Sequence, residues 1–193
     1  MKRLIVASKN PGKASEIQTI LEPLRAWKTE RISADSPDCD ETGSTFIQNA
    51  SQKAEFYSLQ TMELTVADDS GLVIYALNGR PGIYSARFAP TDEKRNEKLL
   101  EELKSVTEDK RTAEFVCALA LAKFGKVIWA VEERVHGRIA IEPAGSNGFG
   151  FDPIFWVPEF GKTMGELKSE VKNQISHRGR ALARLKEYLS RLQ

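Results

Sequence analysis

"RLIVASKNPGKASEIQTIL" (3–21) is the stretch from which the fold class follows. Its first part, "RLIVAS" (3–8), is apolar and predicts a short buried strand. Apolar residues then recur at helical spacing, which predicts a helix from about Pro11 to Leu21. Asn10 followed by Pro11 is typical of a helix N-cap with proline in the first helical position. A strand that passes directly into a helix is the repeating element of α/β folds.

The rest of the chain continues this mixture of strands and helices. Helical spacing predicts helices over 44–59, 91–106 and 177–192. Apolar runs predict strands over 64–67 and 72–77, with a turn between them, and long strands within 113–142 that turn around 124–126. We therefore expect an α/β fold with a mixed sheet. No repeat or linker divides the chain, so residues 1–193 are predicted to form a single domain.

Composition excludes several functional classes. Apolar residues make up 41% of the chain, and 28 Lys and Arg against 27 Asp and Glu give a net charge of +1. A general nucleic-acid-binding domain usually has a basic excess, so we expect no nucleic-acid partner. The longest apolar run, "FVCALALA" (115–122), is far below the roughly 20 residues of a membrane helix. Cys39 and Cys117 form no metal-binding or disulfide pattern. We expect a soluble, cytoplasmic protein with no membrane partner.

The segment "SKNPGK" (8–13) is the first candidate binding site. A helix start presents unpaired backbone N–H groups and the positive end of the helix dipole, which attract anions. Gly12 allows close approach to the backbone, Ser8 and Asn10 offer hydrogen bonds, and Lys13 adds a positive charge. The segment is therefore typical of a phosphate cradle. A capped helix with solvated lysines explains the same six residues equally well.

Carboxylates define a second candidate site. Asp68 and Asp69 follow an apolar strand in "VADDSGL" (66–72), where a Mg²⁺ ion or an activated water is commonly held. An Asx turn is the alternative explanation. Asn49 and Lys53 share one face of the second predicted helix, and Glu41 lies shortly before it. That face contributes to a site only if it points toward the first cradle.

Two later segments carry aromatic, acidic and basic residues. "PAGSNGFGFDPIF" (143–155) places glycines beside Phe149, Phe151 and Asp152, which suits a flat ligand lying on a ring with a carboxylate at its edge. A tight turn before a core strand explains that segment equally well. "KNQISHRGR" (172–180) clusters cations and hydroxyls at another predicted helix start, which suits an anion or a purine edge. A solvated basic turn is the alternative.

Taken together, these segments resemble the Ham1/RdgB family of inosine triphosphate pyrophosphatases. The resemblance rests on six motifs in the order that the family shows. They are "ASKNPGK" (7–13), "ETGSTFIQNASQKA" (41–54), "ADDSGL" (67–72), "GRPGIYSARF" (79–88), "GFGFDPIF" (148–155) and "SHRGRA" (176–181). The resemblance implies an ITPase-like fold (Maf/Ham1) with a long central mixed sheet, two lobes around a nucleotide-binding cleft, and a homodimer. It also implies hydrolysis of ITP, dITP and XTP to the monophosphate and pyrophosphate, with Mg²⁺ as cofactor.

The resemblance also implies roles for particular residues. Glu41 and Asp69 are expected to ligate Mg²⁺, with Asp69 also the catalytic base and Ser70 in contact with substrate. The remaining substrate-binding residues fall into a triphosphate group and a base group. The triphosphate group is Ser8, Lys9, Asn10, Pro11, Gly12, Lys13 and Lys53; the base group is Phe149, Gly150, Phe151, Asp152, Lys172, His177 and Arg178.

Two departures from the family pattern and two alternatives accompany this resemblance. Ser8 replaces a threonine common in the family and keeps the hydroxyl, whereas Phe151 replaces a tyrosine or tryptophan and loses a polar ring atom. One alternative is a Maf-like pyrophosphatase with another base preference, against which "GFGFDPIF" and "SHRGRA" argue. The other is a nucleotide sensor that does not hydrolyse its ligand, which would not need the Glu41 and Asp69 pair.

Overall fold

The computed structural model describes residues 1–192 and shows the predicted mixture of strands and helices. Gln193, the last residue of the predicted domain, lies outside the described residues. The strands are β1 (Lys2–Ala7), β2 (Trp27–Arg31), β3 (Leu64–Ile74), β4 (Thr112–Lys123), β5 (Lys126–Ile139), β6 (Phe155–Val157) and β7 (Lys162–Thr163). The helices are α1 (Pro11–Leu21), α2 (Phe46–Thr61), α3 (Asp92–Glu102), α4 (Ser169–Ile175) and α5 (His177–Arg191).

The strands within residues 1–192 form one seven-stranded sheet in the order β2-β1-β3-β4-β5-β6-β7. β1 pairs in parallel with β2 and with β3, whereas β6 pairs antiparallel with β5 and with β7. The predicted mixed α/β sheet is therefore confirmed. Edge strand β2 was not predicted, because its sequence "WKTER" buries only Trp27 and shows no apolar alternation.

The predicted turn at Ser70–Gly71 is wrong, because β3 continues without interruption from Leu64 to Ile74. Aspartate is ordinarily depleted in strands, but β propensity yields to packing and to the partners a side chain finds. Most residues of β3 are buried, and the Asp68 carboxylate is ion-paired. Asp68 and Asp69 consequently lie in mid-strand, and their side chains alternate between the two sides of the sheet.

The described chain divides into two compact units. The first unit contains residues 1–69, 117–133 and 178–192. Its apolar core includes Leu4 and Val6 of β1, Ile17 and Leu21 of α1, and Leu182 of α5. This arrangement follows from the helical spacing of the apolar residues in α1 and α5, since each helix buries one apolar side.

The second unit contains residues 70–116 and 134–177. Its core includes Leu72 of β3, Leu99 of α3, Phe115 of β4 and Phe155 of β6. The predicted Thr91 cap of α3 is confirmed by a hydrogen bond from the Lys94 N–H to the Thr91 hydroxyl (3.2 Å). No helix within residues 1–192 is long and apolar enough to cross a membrane.

Candidate active site

The predicted phosphate-binding segment lies between β1 and the first turn of α1. The Asn10 side chain caps the helix by accepting a hydrogen bond from the Lys13 backbone N–H (3.0 Å), and Pro11 holds the first helical position. The Ser8 hydroxyl donates to the Asn10 carbonyl (3.4 Å), and Lys9 pairs with Asp38. The predicted helix start and its cap are therefore confirmed, and its N–H groups and dipole favour an anion. Binding of a triphosphate there stays a prediction.

A fully buried carboxylate, Asp68, holds the Lys13 side chain. The Lys13 Nζ lies 2.6 Å from one Asp68 oxygen, and Arg178 Nε lies 3.2 Å from the other. The Cys117 thiol donates to that second oxygen (3.3 Å). Burial by itself raises the pKa of Asp68, but Lys13 and Arg178 outweigh it and hold the pKa well below its usual range. Asp68 is therefore a buried anion that anchors two cations.

Arg178, expected in the base pocket, belongs to this same buried cluster. Besides Asp68, its guanidinium contacts Glu16 through Nη1 (2.6 Å). Burial lowers the pKa of Arg178, but the two carboxylates outweigh this and raise it, so the guanidinium stays charged. Sequence reasoning missed Glu16, although its spacing of three from Lys13 on α1 places both on one side of the helix. A role for Arg178 toward the base stays a prediction.

Asp69, the neighbour of Asp68 on β3, has a raised pKa where Asp68 has a lowered one. Burial raises the pKa of Asp69 to about 6, and the lowering influence of Lys13, Lys53 and a hydrogen bond from Asn49 is too weak to cancel this. The Asn49 amide donates to the Asp69 carboxylate over 3.1 Å. A carboxylate with a pKa near neutrality can both accept and release a proton, which a general base requires.

Glu41 lies next to the side of α2 that carries Asn49 and Lys53. Its carboxylate pairs with Lys53 Nζ (3.0 Å), which also donates to the Asp68 carbonyl (3.1 Å). Lys53 of α2 therefore connects the loop that carries Glu41 to strand β3. Contacts thus link Glu41 through Lys53 to the backbone of Asp68, whose side chain holds Lys13 and whose neighbour in β3 is Asp69. The roles of these residues toward the triphosphate and the metal stay predictions.

The second unit contains another buried ion pair, formed by Asp152 and Lys172. The Lys172 Nζ lies 2.6 Å from Asp152 Oδ2, which also accepts the Phe149 backbone N–H (2.8 Å). The same ammonium lies 4.8 Å from the centre of the Phe149 ring. An aromatic ring with a carboxylate and an ammonium beside it offers a stacking face, an acceptor and a donor to a planar heterocycle.

Gly150 is held from both sides by helix α3. Its N–H donates to Asp92 Oδ2 (2.7 Å), and its carbonyl accepts a hydrogen bond from Asn96 Nδ2 (3.2 Å). Sequence reasoning missed both partners. Asp92 and Asn96 are four residues apart and share one side of α3, which is the signal that could have identified them as a pair.

Three further predicted residues occupy different environments. The Phe151 side chain is buried in the apolar core of the second unit. The His177 ring stacks on Phe115, with ring centres 4.7 Å apart and planes 13° apart. Ser70 follows Asp69 directly in β3 and is half-buried. Their predicted contacts with substrate stay predictions.

The chain is similar to known proteins both in sequence and in structure. A family model described as the Ham1 family matches residues 4–188. A protein from Shouchella clausii named dITP/XTP pyrophosphatase is 48% identical over 190 residues, 97% of this chain and 96% of that protein. One of the same name from Geobacillus kaustophilus is 48% identical over 191 residues, 97% and 94% of the two chains. The structure of a HAM1 protein from Coxiella burnetii has a TM-score of 0.89 and 41% identity, covering 99% of this chain and 100% of that chain.

Proposed function

Because this chain belongs to the Ham1 family, we propose that it hydrolyses deaminated purine nucleoside triphosphates (dITP, XTP and ITP) to the monophosphate and pyrophosphate. The relatives named dITP/XTP pyrophosphatase match it over nearly their whole length. The observation that carries the proposal is the cluster beside Asp69 and its raised pKa, in which Lys13 pairs with Asp68 while Lys53 pairs with Glu41 and donates to the Asp68 carbonyl. Such an enzyme would remove damaged nucleotides from the cellular pool.

The triphosphate would be taken by the start of α1 and its lysines. A nucleoside triphosphate carries about four negative charges, which must be offset before water can attack phosphorus. The helix N-terminus supplies backbone N–H groups, and Lys13 and Lys53 supply full charges that are already held in place by Asp68 and Glu41. Because these ammonium groups are pre-positioned, little side-chain entropy is lost when phosphate binds.

We assign Glu41 and Asp69 as the residues that would hold Mg²⁺. Among residues 1–192, no group of three or more Asp, Glu, His or Cys side chains is arranged for a metal. Mg²⁺ commonly uses only one or two carboxylates and completes its shell with water and substrate phosphates, so the donor set fits. When bound, the ion neutralises phosphate charge and polarises the phosphoryl group.

Asp69 would act as the general base. Its carboxylate removes a proton from a water molecule as the water oxygen bonds to the α-phosphorus. The bond from that phosphorus to the bridging oxygen of the β-phosphate breaks, and pyrophosphate leaves. The Asn49 hydrogen bond keeps the carboxylate oriented while this occurs.

The purine would be read by the second unit. The Phe149 ring offers a stacking face, Lys172 donates to O6, and Asp152 accepts from the protonated N1 of hypoxanthine or xanthine. Adenine presents an amino group and an unprotonated N1 instead, so its amino group would face the Lys172 donor and its N1 the Asp152 acceptor, and neither group of the base would be satisfied. Unsatisfied buried polar groups are a strong basis for rejecting a substrate.

The substitution Gly148→Ala tests this assignment of the base pocket. A Cβ at this position would lie 2.1 Å from Asp152 Oδ2 and 2.9 Å from Lys172 Nζ, and the residue has a left-handed φ of +79°. The Asp152–Lys172 pair must therefore move. We expect kcat/KM for ITP to fall about 10–100-fold, the effect of losing a charge-assisted hydrogen bond, with most of the change in KM. Gly161→Ala, at φ +59° with open space around it, controls for backbone strain alone. Equal losses in both variants would contradict the assignment.

Pyrophosphate release with Mg²⁺ from ITP, XTP, dITP, GTP, ATP, dTTP and UTP tests the proposed function itself. We expect the first three to be hydrolysed with kcat/KM on the order of 10²-fold or more above ATP, because adenine lacks both O6 and a protonated N1. GTP has both groups, so its rate measures whether an amino group at C2 is excluded. Preference for dTTP or UTP would instead indicate the specificity of a Maf-like enzyme. Tight ITP binding without turnover would indicate a sensor. The same preparation, analysed by light scattering, tests the homodimer that the family resemblance implies.

A further inference from the structure

The loop that carries Glu41 is held against α2 by a contact from each of residues 41–44. Their four partners are side chains on one side of the first turns of α2. The contacts are Glu41 with Lys53 (3.0 Å), the Thr42 N–H with Gln52 Oε1 (3.0 Å), the Gly43 N–H with Asn49 Oδ1 (2.8 Å), and the Ser44 N–H with Gln48 Oε1 (2.9 Å). Helix α2 therefore sets the course of this loop.

Asn49 differs from Gln48 and Gln52 because it also contacts Asp69. Its Oδ1 accepts the Gly43 N–H, so its Nδ2 is turned toward Asp69 Oδ2, which it reaches over 3.1 Å. The two hydrogen bonds fix the amide in one orientation, since an exchange of oxygen and nitrogen would oppose donor to donor and acceptor to acceptor. Asn49 is buried, which makes both bonds costly to lose.

Gly43 makes this close approach possible. A Cβ at position 43 would lie 2.6 Å from Gln48 Cβ and 2.7 Å from Asn49 Oδ1. The requirement is for space alone, because the Gly43 backbone is not left-handed. Gly43 and Asn49 thus form a single fitted contact between the Glu41 loop and α2.

We propose that Asn49 is a positioning residue that fixes the Glu41 loop and the Asp69 carboxylate relative to each other, so that both face one divalent cation. One side of its amide holds the backbone two residues after Glu41, and the other side holds Asp69 itself. Residues that orient metal ligands typically contribute about 10–100-fold to metal affinity or activity. The inference rests on the proposed metal site at Glu41 and Asp69.

The test compares Asn49→Leu with Gln52→Met. Leucine has nearly the shape of asparagine and removes both hydrogen bonds, while Gln52→Met removes the neighbouring fastening of Thr42 and leaves Asp69 untouched. Mn²⁺ binding is followed by electron paramagnetic resonance on the full chain without nucleotide, together with kcat, KM and thermal unfolding. We expect Asn49→Leu to weaken Mn²⁺ binding and lower kcat about 10–100-fold with little change in KM, whereas Gln52→Met stays near wild type.

Other outcomes separate this inference from the proposed function. Equal Mn²⁺ affinity in wild type and a folded Asn49→Leu variant would overturn the inference alone. Equal losses in Asn49→Leu and Gln52→Met would also overturn it, since they would indicate a general requirement for the loop. If Glu41→Gln binds Mn²⁺ as tightly as wild-type protein does, the proposed metal site is wrong as well.

Gly43→Ala disturbs the same contact by a change in the loop instead of in α2. The added methyl group collides with the Asn49 amide oxygen but deletes no polar group. The inference therefore predicts the same signature as Asn49→Leu, with Mn²⁺ affinity and kcat reduced and KM retained. A folded Gly43→Ala variant with wild-type Mn²⁺ affinity would contradict it.

Discussion

Asp69→Asn is expected to lower kcat for ITP by about 10²–10⁴-fold, the contribution typical of a general base, while nucleotide binding survives. Asparagine keeps the volume of the side chain and can still accept the Asn49 hydrogen bond, but it neither takes a proton from water nor supplies a charged metal ligand. Single-turnover kinetics with separately measured ITP affinity distinguish the loss of chemistry from a loss of binding.

The pKa of Asp69 adds a second, independent signature to this substitution. Its folded pKa of about 6 lies above the ordinary value near 3.8. Below about pH 4, Asp69 is protonated in the folded protein and its burial does not reduce the free energy of unfolding. As pH rises through 6, the folded protein must hold a buried charge, and the free energy of unfolding falls. Without metal, Asp69→Asn should consequently unfold at higher denaturant than wild type at pH 8, and this advantage should disappear at pH 4. Turnover at the wild-type rate, or a destabilised variant at pH 8, would contradict the assignment of Asp69.

Asp68→Asn is expected to destabilise the fold by about 3–5 kcal/mol at pH 7, the usual cost of removing one partner from a buried ion pair. The substitution removes one of the two carboxylates that pair with the buried Arg178 guanidinium and releases Lys13 from its anchor. Urea unfolding measures the change. Asp38→Asn is the matched control, because it removes the same carboxylate from an exposed pair with Lys9 and should change stability little.

The pH dependence of this difference follows from the lowered pKa of Asp68. A group with a depressed folded pKa stabilises the fold above its unfolded pKa, about 3.9 for aspartate, and loses that contribution as pH falls below it. The gap in unfolding free energy between wild type and Asp68→Asn should therefore be full at pH 7 and shrink below about pH 4. A gap that is equally large at pH 7 and pH 3 would indicate a packing defect instead of a lost charge.

Local features of the fold could be predicted because neighbouring residues decide them. The bounds of α1 follow from Asn10, Pro11 and the helical spacing of the apolar residues, and the structure places the helix at Pro11–Leu21 as predicted. The turn predicted around 124–126 is likewise confirmed, because Phe124 and Gly125 adopt left-handed backbone between β4 and β5. Ser70–Gly71 failed as a turn because the pairing of β3 within the sheet outweighs the local preference of a glycine.

The family motifs in order were also sufficient to identify the candidate substrate and metal residues, but not how those residues engage one another. Lys13 and Arg178 were both predicted to contact substrate, and the structure shows that both are anchored by Asp68. These three residues are remote in sequence, and no spacing rule connects them. Asn49 shared a helix side with Lys53 in the sequence, but its contact with Asp69 depends on the packing of α2 against β3.

The adjacent pair Asp68–Asp69 shows most directly which properties the sequence determines and which the tertiary structure decides. The sequence by itself determined that two carboxylates follow an apolar run, that a capped helix start precedes them, and that the chain carries the Ham1 motifs. Tertiary structure alone decided that one carboxylate is a permanently charged anchor and that the pKa of the other is raised to about 6. The reason is that successive side chains of a strand point to opposite sides of the sheet. Asp68 therefore forms ion pairs with Lys13 and Arg178, whereas Asp69 is buried and accepts a hydrogen bond from the Asn49 amide.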